Sequence, residues 1–92
     1  MPEIHIEYSH SRGKEGGRDA VDKLAHALST RFGLRNMAWS GDTIGFAGRS
    51  VEGTVTVGET VASIHVRLGA VLGPLRPAIE SEIRRQLRAH LG

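Results

Sequence analysis

Apolar and polar residues alternate from Glu3 to Tyr8, with Ile4, Ile6 and Tyr8 on one side and Glu3, His5 and Glu7 on the other. Period two predicts a half-buried strand. Beyond the polar link at Ser9 to Gly13 the period lengthens. Val21, Leu24, Ala25, Leu28 and Phe32 fall three and four apart, the stripe of an amphipathic helix facing a core. Ser11 is placed to cap this helix and Gly33 to end it in the left-handed conformation. Gly16 and Gly17 weaken its start, each by ~1 kcal/mol relative to alanine in a helix interior.

Period two returns from Arg35 to Leu68, punctuated by three Gly-X pairs, Gly41-Asp42, Gly48-Arg49 and Gly58-Glu59. A two-residue loop with glycine first suits the primed turns of antiparallel hairpins. Taken as such, the three pairs set Ser40 opposite Thr43, Ala47 opposite Ser50 and Val57 opposite Thr60. One face then collects Trp39, Ile44, Gly53 and Ile64 in a row, with Met37, Phe46, Val51 and Val66 in the next and Val55 beside Ala62. The other face collects Ser40, Thr43, Thr54 and Ser63, then Ala38, Gly45, Glu52 and His65. A slip of one residue would destroy this sorting, so the pattern predicts a four-stranded meander with one buried face.

After Leu68 the spacing is helical again. Pro74 and Pro77 suit the first turn of a helix, and Leu75, Ile79, Ile83 and Leu87 continue its stripe, with Leu91 as a last contact. Ala70 to Leu72 forms a short turn before it. The order is strand, helix, four strands, helix, with one apolar stripe per helix and one apolar sheet face. That predicts a single α+β domain over residues 1–92, in two layers, with both helices on one face of a five-stranded antiparallel sheet. Strand direction favours the order 1-5-4-3-2. Pairing strand 1 in parallel with strand 2, through a right-handed crossover, is the alternative.

Charge changes this picture little. Twelve Lys+Arg against ten Asp+Glu leave a net charge of +2, and the pI of 9.7 reflects ten arginines that release no proton before high pH. A protein living off phosphate contacts concentrates more positive charge on one face, so no specific nucleic acid is expected. The chain has no cysteine, which excludes disulfides and thiolate metal sites. The opening Met1-Pro2-Glu3-Ile4-His5 lacks the basic start and apolar run of a signal peptide, and no apolar run approaches a membrane span. A cytoplasmic protein that does not enter a membrane is the expectation.

No nucleophile elbow and no phosphate loop occurs, so nothing asks for an enzyme or for a cofactor. Metal chemistry has only the histidines to draw on. The predicted register puts His65 opposite Glu52 and, if strands 1 and 5 pair, brings His5 near. His5, Glu52 and His65 are therefore the candidate ligands, against the plainer reading of cross-strand charge pairing on a wet face. His10, at the end of the first strand, reads as a local hydrogen bond. Arg84, Arg85 and Arg88 form the densest basic group and a candidate partner surface. The plainer reading is cations complementing a helix C-terminus, with Glu80 and Glu82 in pairing range. Trp39 and Met37 read as core on the edge strand. That edge leaves a monomer or a weak homodimer as the expected states.

Several short motifs occur together: Ile4-x-Ile6-x-x-x-His10-Ser11, Phe32-Gly33-Leu34, Trp39-x-Gly41-Asp42-Thr43, Val51-x-Gly53-x-Val55, Leu68-Gly69 and Ile79-Glu80-x-Glu82-Ile83. In combination, from about Ile4 to Leu91, they resemble the polyhydroxyalkanoic acid system family, small bacterial proteins of polyester-granule gene regions. The resemblance implies a non-enzymatic accessory role, with the granule or a granule-associated protein as partner. It carries no catalytic residue. The element order is also similar to a reduced helix-grip fold, in which a curved sheet holds a C-terminal helix. On that analogy a cavity between sheet and helix would bind a small molecule.

Overall fold

In a computed structural model that describes residues 3–92, the alternating segments become β1 (Glu3–Ser9), β2 (Arg35–Ser40), β3 (Thr43–Gly48), β4 (Val51–Val57) and β5 (Val61–Leu68). Helix α1 spans Gly13–Phe32, and α2 (Arg76–Leu91) follows a 3-10 turn at Gly73–Leu75. Met1 and Pro2, which open the N-terminal pattern, lie outside the described residues. The strands form one antiparallel sheet in the order β1-β5-β4-β3-β2, as strand direction predicts.

Both helices contribute to one core with the inner sheet face. Ile4, Ile6, Ile44, Val55, Ile64 and Val66 bury there against Val21, Leu24 and Leu28 of α1 and Ile79, Ile83 and Leu87 of α2. The helices run antiparallel. The Arg12 side chain, before α1, donates to the Leu91 carbonyl at the end of α2 (3.5 Å), and Arg31, near the end of α1, meets Glu82 (3.5 Å). Arg76 ties the start of α2 to β1 through the Glu3 carbonyl (2.9 Å).

The first hairpin turns at Gly41-Asp42 with Ser40 opposite Thr43, as predicted. The other two registers differ from expectation. Gly48 faces Val51, so the loop is Arg49-Ser50, and the Gly58 N–H donates to the Val61 carbonyl (2.8 Å), so the loop is Glu59-Thr60. Gly48 is the last residue of β3, and Gly58 directly follows β4. Ser50 itself adopts the left-handed conformation (φ 64°), which frees Gly48 to extend the ladder. Both pairings move by two residues, so Phe46 now faces Gly53, Ile44 faces Val55, and Val57 faces Ala62. A shift of two keeps every side chain on its face, which is why the inner and outer sets survive.

Smaller corrections follow from local geometry. Arg35 pairs with Ala47 but Ala38 with Gly45, so a bulge with Asn36 at φ 56° replaces the direct Met37–Phe46 pair. Helix α1 begins before the Gly16-Gly17 pair. Arg12 is its N-cap residue, and no side chain, Ser11 included, caps it. Gly33 ends it in the left-handed conformation as expected (φ 65°). Phe32 and Leu75, both placed on buried stripes by their spacing, are 37% and 52% exposed. Phe32 is the last residue of α1, and Leu75 belongs to the 3-10 turn, whose three-residue period puts it out of phase with α2.

Candidate functional site

The outer sheet face gathers the residues that sequence put forward as metal ligands. His5 stands directly opposite His65, with ring centroids 5.7 Å apart and planes tilted by 57°. His65 hydrogen-bonds through Nε2 to the Glu3 carboxylate, and His5 Nε2 lies 3.8 Å from Glu7. The two-residue shift in the β4–β5 register moves Glu52 away from this group. Thr54 faces His65, while Glu52 faces Arg67, whose guanidinium is 3.4 Å from its carboxylate. The structure therefore joins His5 to His65 but not to Glu52. Among the described residues, no group of three or more His, Cys, Asp or Glu side chains is arranged to hold a metal ion. The hydrogen bond from His65 holds the Glu3 carboxyl below its ordinary range, assisted by the charges of His65 and Arg67 and opposed by burial.

On α2 the basic group is largely committed to its own helix. Arg84 meets Glu80 (3.3 Å) and Arg85 meets Glu82 (2.7 Å), while Arg88 complements the helix C-terminus. His10 is buried at the end of β1. Its Nδ1 accepts the Arg12 N–H (3.2 Å) and its Nε2 lies 3.0 Å from the Gly58 carbonyl, which it satisfies as the Nε2–H tautomer. It thus joins the strand end to the β4–β5 turn. Trp39, on the edge strand, is half-buried against α1, donating to Asp22 (3.0 Å) under the Arg18 guanidinium.

The feature that periodicity did not identify lies where the end of α1 meets the start of α2. Phe32, Leu75 and Val71 are the large apolar side chains left exposed among the described residues, Val71 by 78%. Beneath Phe32 and Leu75 lies a cavity of about 190 Å³ between the helices and the sheet, walled by Leu28, Leu34, Phe46, Val51 and Ile79. Its one charged lining residue is Arg49, from the β3–β4 loop. Arg49 also borders a polar cleft of about 410 Å³ that includes Arg35 and Asn36. The sequence does carry a trace of this end in Val71 and Leu72, two apolar residues in a turn between glycines. The cavity itself is set by how α1, α2 and the sheet pack at this end, which periodicity does not reveal.

Among the described residues, no helix is long and apolar enough to cross a membrane. Comparison with curated proteins and with solved structures returned no significant match. A family model described as “putative polyhydroxyalkanoic acid system protein” covers residues 4–91, nearly the whole chain, and the protein belongs to that family.

Proposed function

We propose that this protein is a non-enzymatic, cytoplasmic accessory of polyhydroxyalkanoate metabolism that rests on the polyester granule through the apolar end formed by Phe32, Val71 and Leu75. Family membership supplies the metabolic context, and the exposure of those three side chains is the observation that carries the contact. Fully burying such a side chain contributes roughly 1.5–3 kcal/mol, so a cluster of partly exposed ones suffices for reversible adsorption to an ester surface. Val71 and Leu75 lie outside the regular helices, so changing them leaves the core stripes intact.

The test is fractionation of granules from polyester-accumulating cells that express the parent chain or a Val71→Glu, Leu75→Glu double variant. The parent is expected in the granule layer and the folded variant in the supernatant. A parent chain found only in the supernatant would overturn the reading. Equal retention of both proteins would transfer the contact to another surface, with Arg88 and its neighbours Arg84 and Arg85 next in line for an acidic granule protein.

A further inference from the structure

Three arginines stand out once the cations are sorted by partner. Lys14, Lys23, Arg31, Arg67, Arg76, Arg84 and Arg85 each meet a carboxylate. Arg18 lies over Trp39, and Arg12 donates to the Leu91 carbonyl. Among the described residues only Arg35, Arg49 and Arg88 have no such commitment. Two of these three line the polar cleft beside the apolar cavity, and Arg49 borders both. An exposed guanidinium needs no partner on its own account. One guanidinium on the wall of a hydrocarbon-lined cavity, with a second in the adjoining cleft, makes a site with two chemically opposite ends.

The geometry points to a binding site for a short aliphatic carboxylate, its chain in the cavity walled by Leu34, Phe46 and Val51 and its carboxylate on Arg49, with Arg35 in the adjoining cleft. Size limits the chain. An apolar cavity of roughly 150 Å³ stays dry and accepts benzene, so about 190 Å³ accommodates a chain of about six carbons. Drug-sized ligands occupy roughly 300–1,000 Å³ and would not enter. Charge limits the head group, because a guanidinium fork matches a carboxylate in two parallel hydrogen bonds. The choice of a hydroxyalkanoate within this class rests on the proposed role in polyhydroxyalkanoate metabolism. The shared chemistry is a hydroxyacyl carboxylate, supplied either by the free acid or by the carboxyl end of a polyester chain.

Titration of the methyl-labelled protein with 3-hydroxyhexanoate, followed by NMR, tests the assignment. The Leu34, Val51 and Leu72 methyl signals are expected to move together in a saturable way. Arg49→Gln, on an exposed two-residue loop, is expected to weaken binding about tenfold or more. Neither hexylamine nor the methyl ester should compete. Leu72→Trp should fill the cavity and abolish binding, and if that variant does not fold, the Arg49→Gln titration decides alone. Unmoved cavity methyls, unchanged affinity in Arg49→Gln, or hexylamine binding as tightly as the acid would each overturn the site. A linear dimer of the acid separates the sources: tighter binding than the monomer assigns a chain end, and equal or weaker binding assigns the free acid. Granule fractionation is an independent readout. A protein on granules that ignores the acid loses only this site, while one that binds the acid but leaves granules loses only the granule contact.

Discussion

Gly17 is buried, and a Cβ built there would lie 2.7 Å from Val57 Cγ1 and 3.0 Å from His10 Cε1. Val57 is almost fully buried and β-branched, and His10 is held at both ring nitrogens, so neither yields readily. The neighbouring Gly16 is different, because its Cβ would meet only the Arg12 Cβ, at 3.1 Å, on an exposed residue at the helix start. Alanine gains up to ~1 kcal/mol over glycine in a helix. Gly16→Ala should therefore stabilise by a few tenths to ~1 kcal/mol, and Gly17→Ala should destabilise by ~1–3 kcal/mol through overpacking. Urea melts of the two variants check this, and equal effects would mean that α1 does not press on Val57 as described. Gly53 is a second such position. Its Cβ would fall 2.8 Å from the Phe46 ring and 2.6 Å from the His65 carbonyl oxygen, so the occupant of its space is Phe46 rather than Trp39. Gly53→Val should cost ~1–3 kcal/mol despite valine's strand propensity, read again by denaturant midpoint. An unchanged midpoint would contradict the Phe46–Gly53 pairing.

Strand order, helix number and the division into inner and outer faces were legible because each depends only on period and direction. The registers of β3–β4 and β4–β5 were not. A glycine marks a turn but not its place within the turn, and Ser50 takes the left-handed position that a sequence reader assigns to Gly48. The shift leaves Val57 on the inner face, opposite Ala62, where it buries against Gly17. The error is invisible in the core, since a two-residue slip preserves parity, and fully visible outside, where Glu52 exchanges His65 for Arg67. The candidate metal set was lost by that step, while His5 and His65, fixed by the β1–β5 ladder, did come together. Double-mutant cycles at the exposed face measure the register directly. Glu52 and Arg67 should couple by ~0.2–1 kcal/mol, with the value falling as salt rises, and Glu52 and His65 should show no coupling. Coupling of Glu52 to His65 alone would restore the glycine-first turns. The cavity was unreadable for a different reason, because its walls come from both helices, the sheet and the β3–β4 loop, and their convergence is set by packing and not by period.

Across the whole molecule, α2 is attached by its apolar stripe and by a few polar clasps, of which Glu82 is the most connected. Its carboxylate accepts from Arg85 (2.7 Å) and Gln86 (3.0 Å) within α2 and meets Arg31 of α1 (3.5 Å). The hydrogen bonds from Arg85 and Gln86 hold the Glu82 carboxyl below its ordinary value of 4.5, with the Arg31 and Arg85 charges adding to them and burial opposing. A carboxyl with a depressed folded-state pKa contributes stability that is present above the unfolded value and is lost as pH falls through the folded one. The window thus begins near pH 4.5 and extends below it. Other carboxyls titrate there too, Glu3 among them, so the parent curve alone does not isolate Glu82. Glu82→Gln does, because every other group is common to both proteins and cancels in the difference. The variant should be the less stable at neutral pH, by an amount that salt reduces, and the gap should close as the solution is acidified below pH 4.5. Urea midpoints at a series of acid pH values measure it. A gap that stays constant through the titration would mean that Glu82 contributes by packing alone.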